Sequence, residues 1–398
     1  MSMLFPPRPA QGRTRKALIA GLLSLAGLAA GAAEVTIGFL GTLSGPAAAL
    51  GQDQYDGFML ALEQKGGKLG GAAVKLIRED DQLKPDLGVQ LVRKLIEKDK
   101  VDLVTGVTFS NVMMAVARPL AEAGVPFVGS NAGPAPLAGK QCNAHFFFTS
   151  FQNDSQAEVL GQYATDRGFR KMLLLAPNYQ SGKDQVLGFK RYYKGTVAGE
   201  IYTQLNQPDY SAELAQMQAI APDAVFAFFP GGMGVNFVKQ MSQAGLLGKV
   251  PVLTVSTVDG TTLPALKDSA LGVLAGAVWG PDLPGAGNAA FAEAFERKYG
   301  RIPSQYAAQA FDAALLIDSA LARTQGAAAD KAALRAALKA ADFPSLRPGF
   351  KFGSNGFPQQ DLHVFEVAKD ARGRVSLKKI ATPLPALRDA YAAECALR

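Results

Sequence analysis

The chain has 398 residues, 41 Lys and Arg against 34 Asp and Glu, and only two His and two Cys. The formal net charge of +7 comes with no basic cluster interleaved with aromatics, so nothing in it marks a nucleic-acid footprint. Two His leave little room for a His-rich metal centre or for the commonest acid–base chemistry, and the length points to two or more lobes, because single cores seldom grow beyond about 250–300 residues.

The first segment reads as an address. Arg13, Arg15 and Lys16 form a basic region, Ala17 to Ala30 is an apolar run of fourteen residues, and Ala30-Gly31-Ala32 supplies small residues for cleavage. A secretory signal over 1–32, cleaved near Ala32 to leave a chain starting at Ala33, is therefore expected, with an uncleaved anchor as the alternative. The run falls short of the roughly 20 residues a membrane-spanning helix needs, and no Cys lies near the cleavage point to carry a lipid. Without the leader's Arg8, Arg13, Arg15 and Lys16, 37 basic residues face 34 acidic ones, a net charge of +3. In an oxidising compartment, Cys142 and Cys395 read first as one disulfide, with free thiols as the alternative.

Behind the leader, Val35, Ile37 and Phe39 alternate as in a strand. A small-residue loop, Gly41 to Pro46, then leads into a helix with Tyr55, Phe58, Met59 and Leu62 at helical spacing. A strand ending in such a loop at a helix N-terminus presents N–H groups to a small anion, although any strand-to-helix turn has the same outline. The alternation continues: strand Val74–Arg78, helix Asp86–Asp99, strand Val101–Val104, helix Met113–Ala123, strand Val125–Val128. It restarts with a strand at Phe146–Thr149, helix Asp154–Arg167, strand Met172–Ala176, helix Asp184–Tyr193, strand Ala198–Thr203, helix Ser211–Ile220, strand Ala224–Phe229, helix Val235–Ala244 and strand Val250–Val255. Helices at Asn288–Tyr299, Tyr306–Arg323 and Ala327–Ala341 follow, then a hairpin about Asp370–Gly373. Such alternation predicts an α/β fold of two doubly wound lobes with largely parallel sheets.

Catalytic signatures are missing from this order. Gly182-Lys183 is followed by Asp184 rather than Ser or Thr, Gly129–Gly133 lacks a nucleophile elbow's spacing, and Gly231–Gly234 lacks a third dinucleotide-binding glycine. No cofactor, no metal and no enzyme activity are expected. The remaining candidates are strand-end loops: Thr105–Asn111, where Ser110 can present a hydroxyl beside a helix N-terminus, and Gly129–Gly133 one strand on. Capping of the helix by Ser or Asn explains each loop equally well.

Taken together these loops resemble the leucine/isoleucine/valine-binding family, the type I periplasmic solute-binding proteins. Their opening SGP-x-A-x-x-G is matched by Ser44-Gly45-Pro46-Ala47-Ala48-Ala49-Leu50-Gly51. The resemblance implies three crossings between lobes, near Thr149, Trp279 and Gly353–Gly356. Lobe 1 would then comprise 33–148 plus 281–354, and lobe 2 149–280 plus 355–385, with a C-terminal tail at 386–398. It also implies a ligand set of Ser44, Leu50, Phe109, Ser110, Asn131, Ala132, Gly133, Tyr179, Gly231, Gly232, Asp259, Trp279 and Tyr306. Within that set Ser110 and the loop at Asn131–Gly133 hold a carboxylate, and Asp259 stands where amino-acid binders accept an ammonium. Leu50 replaces a frequent aromatic and Asp259 a longer Glu. The segments Thr254–Asp259, Leu263–Leu266, Trp279–Asp282 and Pro303–Asp312 look like a branch that takes up aromatic acids, with Phe109, Tyr179, Trp279 and Tyr306 lining an apolar slot. The function implied is a monomeric periplasmic protein that closes its lobes on a small carboxylate, an amino acid or an aromatic acid, and delivers it to an inner-membrane ABC permease. A ligand sensor of the same fold and a secreted α/β hydrolase are the alternatives.

Overall fold

The computed structural model of the chain describes residues 1–7 and 34–397. The apolar run Ala17–Ala30 and the expected cleavage point near Ala32 lie outside the described residues. Among the described residues no helix is long and apolar enough to cross a membrane.

The first half runs β1 (Glu34–Gly41), α1 (Ala48–Gln64), β2 (Lys68–Leu69), β3 (Ala72–Asp80), α2 (Pro85–Glu97), β4 (Leu103–Gly106), α3 (Ser110–Glu122), β5 (Phe127–Gly129), α4 (Ala135–Ala138) and β6 (Phe146–Phe148). These strands form one sheet in the order β2-β3-β1-β4-β5-β6, parallel except for β2 against β3. β4 and β5 are buried along their whole length, as strands covered by helices on both faces must be.

The strand at Phe146–Thr149, expected to open the second set, instead closes the first sheet. β6 pairs in parallel with β5, Phe127 opposite Phe146. The rings of Phe146 and Phe148 meet Phe127 edge-on, so three phenylalanines hold the sheet edge that the following crossing leaves.

The second half runs α5 (Ser155–Asp166), β7 (Lys171–Pro177), α6 (Gln180–Tyr192), β8 (Thr196–Thr203), α7 (Ser211–Ile220), β9 (Ala224–Phe228), α8 (Gly232–Gln243), β10 (Val252–Val255), α9 (Leu263–Leu266) and β11 (Leu274–Ala277). Helices α10 (Ala286–Tyr299), α11 (Gln305–Arg323) and α12 (Lys331–Lys339) follow, then β12 (Lys351–Phe352), β13 (Pro358–Lys369) and β14 (Val375–Leu387). The second sheet has the order β12-β13-β11-β10-β9-β7-β8, with β14 on β13. Its β8-β7-β9-β10-β11 portion is parallel and β13 joins antiparallel. In both sheets the winding reverses beside the first strand, between β1 and β4 and between β7 and β9. Doubly wound sheets bind ligands at the carboxyl ends of the strands flanking that reversal.

Although it follows the second sheet in sequence, α11 packs along α1. Gly57 permits the contact, since a Cβ there would lie 2.1 Å from the Ala307 carbonyl oxygen. One buried guanidinium then ties the segments near the first and third crossings. Arg347 pairs with Asp312 of α11 at 2.8 Å and donates to the Ser150 carbonyl at 3.0 Å, to the Thr149 carbonyl and to Gln360 Oε1 at 2.8 Å. Removing either member of such a pair strands a buried charge, at a cost of about 3–5 kcal/mol.

The segment after β14 is fastened at several points. Cys142 and Cys395 are joined, with sulfurs 2.06 Å apart and Cα atoms 5.6 Å apart. Tyr391 donates its hydroxyl to Asp154 Oδ2 at 2.8 Å, and Arg191 donates to both at 3.0 and 2.9 Å. Asn355, in the third crossing, donates to Asp389 and to the Ala138 carbonyl.

Candidate ligand-binding site

Loops at the carboxyl ends of the two sheets face one another and touch. The Gly232 N–H donates to the Pro46 carbonyl at 3.3 Å, and the Ala135 N–H to Asp184 Oδ2 at 3.2 Å. Gly231 has φ +64°, which lets the turn after β9 swing into α8 with its Cα against Leu50, where a Cβ would meet that side chain at 2.8 Å.

Between the loops lies a narrow, nearly closed cavity of about 20 Å³. Thr108, Phe109 and Ser110 line it from the turn into α3, Asn131 and Ala132 from the turn after β5, and Leu50 from α1. Phe151 and Asn153 come from the crossing before α5, Tyr179, Ser181 and Gln185 from the start of α6, Phe228 and Pro230 from the end of β9, Ser256 from the end of β10, and Tyr306 from the start of α11. Phe109 and Tyr179 are 6.3 Å apart, and Tyr179 stacks on Phe228 at 6.1 Å with 16° between planes, so one aromatic wall joins the two sheets. Burial raises both the Tyr179 and Tyr306 phenols, which stay protonated. Among the described residues, no acidic side chain lines this cavity, and none form a group of three or more His, Cys, Asp or Glu able to hold a metal.

Its polar groups are held in place. Ser110 opens α3 behind the extended Phe109, and its Oγ accepts from Asn153 Nδ2 at 3.0 Å. Asn131 Nδ2 donates to the Thr108 carbonyl at 2.6 Å, which leaves Asn131 Oδ1 buried without a protein partner. Gln185 Oε1 and the Tyr306 hydroxyl share that condition. Unpaired buried polar atoms cost about 1–3 kcal/mol each, and their convergence on one cavity is the mark of a binding site rather than of a core.

The structure brings Leu50, Phe109, Ser110, Asn131, Ala132, Tyr179 and Tyr306 to this cavity, seven of the thirteen ligand residues the resemblance implied. The other six stand elsewhere. Ser44 is exposed and does not line the cavity. Gly133 lies behind Ala132; its N–H is committed to Asn153 Oδ1 at 3.1 Å, and a Cβ would fall 2.0 Å from the Phe151 carbonyl oxygen. Gly231 and Gly232 carry the turn against Pro46 and Leu50. Asp259 lines the neighbouring cavity instead: its Oδ1 accepts from the Thr261 N–H at 2.8 Å and hydroxyl at 2.6 Å, its Oδ2 is buried without a partner in reach of the Tyr306 hydroxyl, and burial raises its carboxyl to about 6. Trp279 donates its indole N–H to Asn288 Oδ1 at 2.6 Å and packs edge-on against Phe291.

Asp259 and Trp279 line a second, larger cavity of about 470 Å³, which shares Ser256 with the first. Leu263, Ala275, Ala277, Ile302 and Leu377 give it aliphatic walls. Its arginines are spoken for: Arg301 binds Asp53 and Asp56, and Arg374 binds Glu296 and Asp370. Despite its size it lies away from both strand-order reversals, and the smaller cavity is the candidate site.

Sequence reasoning missed Asn153, Gln185, Phe228 and Ser256. Asn153 sits in the polar stretch Gln152-Asn153-Asp154 directly after an apolar strand, a signal that was available. Gln185 lies a turn and a half into α6, and no local pattern separates it from a solvated glutamine.

Residues 34–372 match the periplasmic binding protein family. The chain belongs to that family. A solute-binding protein of an ABC transporter from R. palustris, solved in complex with benzoate, is 30% identical; the match covers 92% of this chain and 100% of that one with a TM-score of 0.87. Another, from Rhodopseudomonas palustris BisB5 in complex with 3,4-dihydroxybenzoic acid, is 26% identical over 90% of this chain and 99% of that one, with a TM-score of 0.83. A Leu/Ile/Val-binding protein homologue of Brucella melitensis is 29% identical over 64% of this chain; the match spans 66% of that relative's length, just under two thirds. The family and the type I fold of two doubly wound sheets are those that the resemblance implied.

Proposed function

We propose that this periplasmic binding protein captures a small aromatic carboxylate and delivers it to an ABC permease. The observation that carries the reading is the composition of the cavity. Five aromatic rings, those of Phe109, Phe151, Tyr179, Phe228 and Tyr306, surround the Ser110 hydroxyl and the amides of Asn131, Asn153 and Gln185, with no carboxylate to receive an ammonium. A benzoate-like anion fits that inventory: a flat ring for the wall, and a carboxylate for Ser110 and the α3 N-terminus. The residue implied for an ammonium, Asp259, commits Oδ1 to Thr261 and is not part of the cavity's lining. Similarity to proteins solved with benzoate and with a dihydroxybenzoic acid supports the same reading.

The mechanism is closure. The lobes, divided as 33–148 plus 281–354 and 149–280 plus 355–385, rotate about the three crossings, and a ligand that touches both selects the closed arrangement. Two or three charge-assisted hydrogen bonds of about 1.5–3 kcal/mol each, with burial of one ring, reach the roughly 8 kcal/mol of micromolar binding. Calorimetry with benzoate, 4-hydroxybenzoate and leucine tests the reading, with scattering on the same samples. Micromolar binding of an aromatic acid with a smaller radius of gyration is expected. Binding of leucine in preference to both acids overturns the ligand class, and an unchanged scattering profile at saturation overturns the mechanism.

A further inference from the structure

Ser110 is held by a side chain that is itself held from the opposite sheet. Asn153 uses its whole amide: Oδ1 accepts the Gly133 N–H at 3.1 Å, while Nδ2 donates to Ser110 Oγ at 3.0 Å and to Asp184 Oδ2 at 2.8 Å. Asp184 is a buried residue of α6, on the second-sheet side. The same Oδ2 accepts the Ala135 N–H at 3.2 Å from α4, on the first-sheet side, and its Oδ1 accepts from Gln180 Nε2 at 2.7 Å. An ionised carboxylate only accepts, so it keeps the donor end of the Asn153 amide toward itself and Ser110. A serine hydroxyl has one proton and two lone pairs; with a lone pair engaged by Asn153, the proton is left for the cavity.

We propose that Asp184 is a positioning residue, which through Asn153 fixes the Ser110 hydroxyl as a hydrogen-bond donor and so makes the site prefer a carboxylate to its neutral amide. The inference rests on the reading of the cavity as a carboxylate site. It also gives closure a chemical role, because the Asp184–Ala135 contact exists only where the loops of the two sheets meet. The groups around Asp184 fit its part. Burial, with Asp154 adding to it, raises the carboxyl to about 6, so it is mostly ionised at pH 7.5. The buried Tyr179 phenol, whose own ionisation Asp184 opposes, stays protonated, and Arg191, farther along the same helix, is engaged by Asp154 and Glu158.

The test measures Kd for benzoate and for benzamide, its neutral amide, by calorimetry at pH 7.5. Asp184→Ala is expected to weaken benzoate roughly tenfold, about one hydrogen bond to a charged group, and to lower the benzamide-to-benzoate Kd ratio by a similar factor. Asp184→Asn keeps an oxygen toward Asn153 with its amide turned to Gln180, and stays within about threefold of the unmodified protein. In a Ser110→Ala background, Asp184→Ala adds less than about twofold, because the two residues act through one hydroxyl. Equal weakening of both ligands, no weakening, or additive losses overturn the proposal. Failure of the unmodified protein to bind benzoate falls on the proposed function instead, and the relay is then judged without ligand. Slow exchange of the Asn153 side-chain NH2 by nitrogen-15 NMR is expected in the unmodified protein and in Asp184→Asn and lost in Asp184→Ala; persistence in Asp184→Ala overturns it.

Discussion

The two cavities that meet at Ser256 make an instructive pair. The larger, about 470 Å³ against about 20 Å³, has aliphatic walls, arginines already paired with carboxylates and one unpaired buried oxygen, Asp259 Oδ2. The smaller gathers side chains from both sheets and holds buried oxygens on Asn131, Gln185 and Tyr306 that the protein does not satisfy. Volume measures where packing is loose. Unspent hydrogen-bonding capacity, aimed from loops that the fold brings to a strand-order reversal, measures where a ligand is recognised.

The strongest way to break this contrast is to truncate one wall of each cavity. Tyr179→Ala removes the ring between Phe109 and Phe228 and is expected to weaken benzoate by about 2–3 kcal/mol, as for a buried aromatic anchor. Leu263→Ala, in the larger cavity, is expected to leave that Kd within about twofold while lowering stability by about 2–3 kcal/mol. Calorimetry and chemical denaturation on both variants decide, and a reversed pattern would move the site to the larger cavity.

Asp259, on the boundary, sharpens the contrast through pH. Its carboxyl stands at about 6 in the folded protein against an ordinary value of 3.8, so the folded state holds the proton more tightly. Stability tied to this group is fully present below about pH 4 and is lost as the pH rises through 6. Asp259→Asn carries no charge to bury, and is expected to be more stable than the unmodified protein by roughly 1–2 kcal/mol at pH 8. The advantage should fade between pH 6 and 4 in thermal melts, and the benzoate Kd should stay within about twofold. A large loss of benzoate affinity would return Asp259 to the ligand set.

The smallest effect is expected at Trp279. Trp279→Phe keeps a ring but deletes the hydrogen bond to Asn288, which predicts a stability loss of about 1 kcal/mol. Benzoate binding should not change, as titration of the variant can verify.

The alternation of strands and helices was legible in the sequence because parallel sheets bury both faces of each strand: β1, β7 and β9 announce themselves as short apolar runs between Gly- and Pro-bearing turns. The starts of the helices were less so. Periodicity places α3 at Met113 and α6 at Asp184, whereas the structure begins them at Ser110 and Gln180. The first turn of each is polar because it faces the cavity, and apolar spacing is blind to residues whose partners lie on the other sheet. Tyr306 and Ser110 could be placed from their loops. Asn153 left a usable mark, a polar stretch directly after an apolar strand, but Gln185 left none, because its role depends on a meeting of elements that no local pattern encodes. Asp259 and Trp279 have suitable chemistry in the right loops, but Thr261 and Asn288 hold them outside the lining of the smaller cavity.

The bond between Cys142 and Cys395 spans 253 positions, and every strand of the second sheet lies between them. Its two ends stand side by side in the finished fold only because that sheet, the helices α10 to α12 and the hairpin of β13 and β14 return the chain to the loop beyond α4. Oxidation is therefore expected late in maturation, after both sheets have formed, with the segment around Tyr391 and Cys395 the last part to be fastened. A thiol oxidant would act on this chain as a final fastener, and time-resolved trapping of thiols during refolding would place that step after the appearance of native fluorescence.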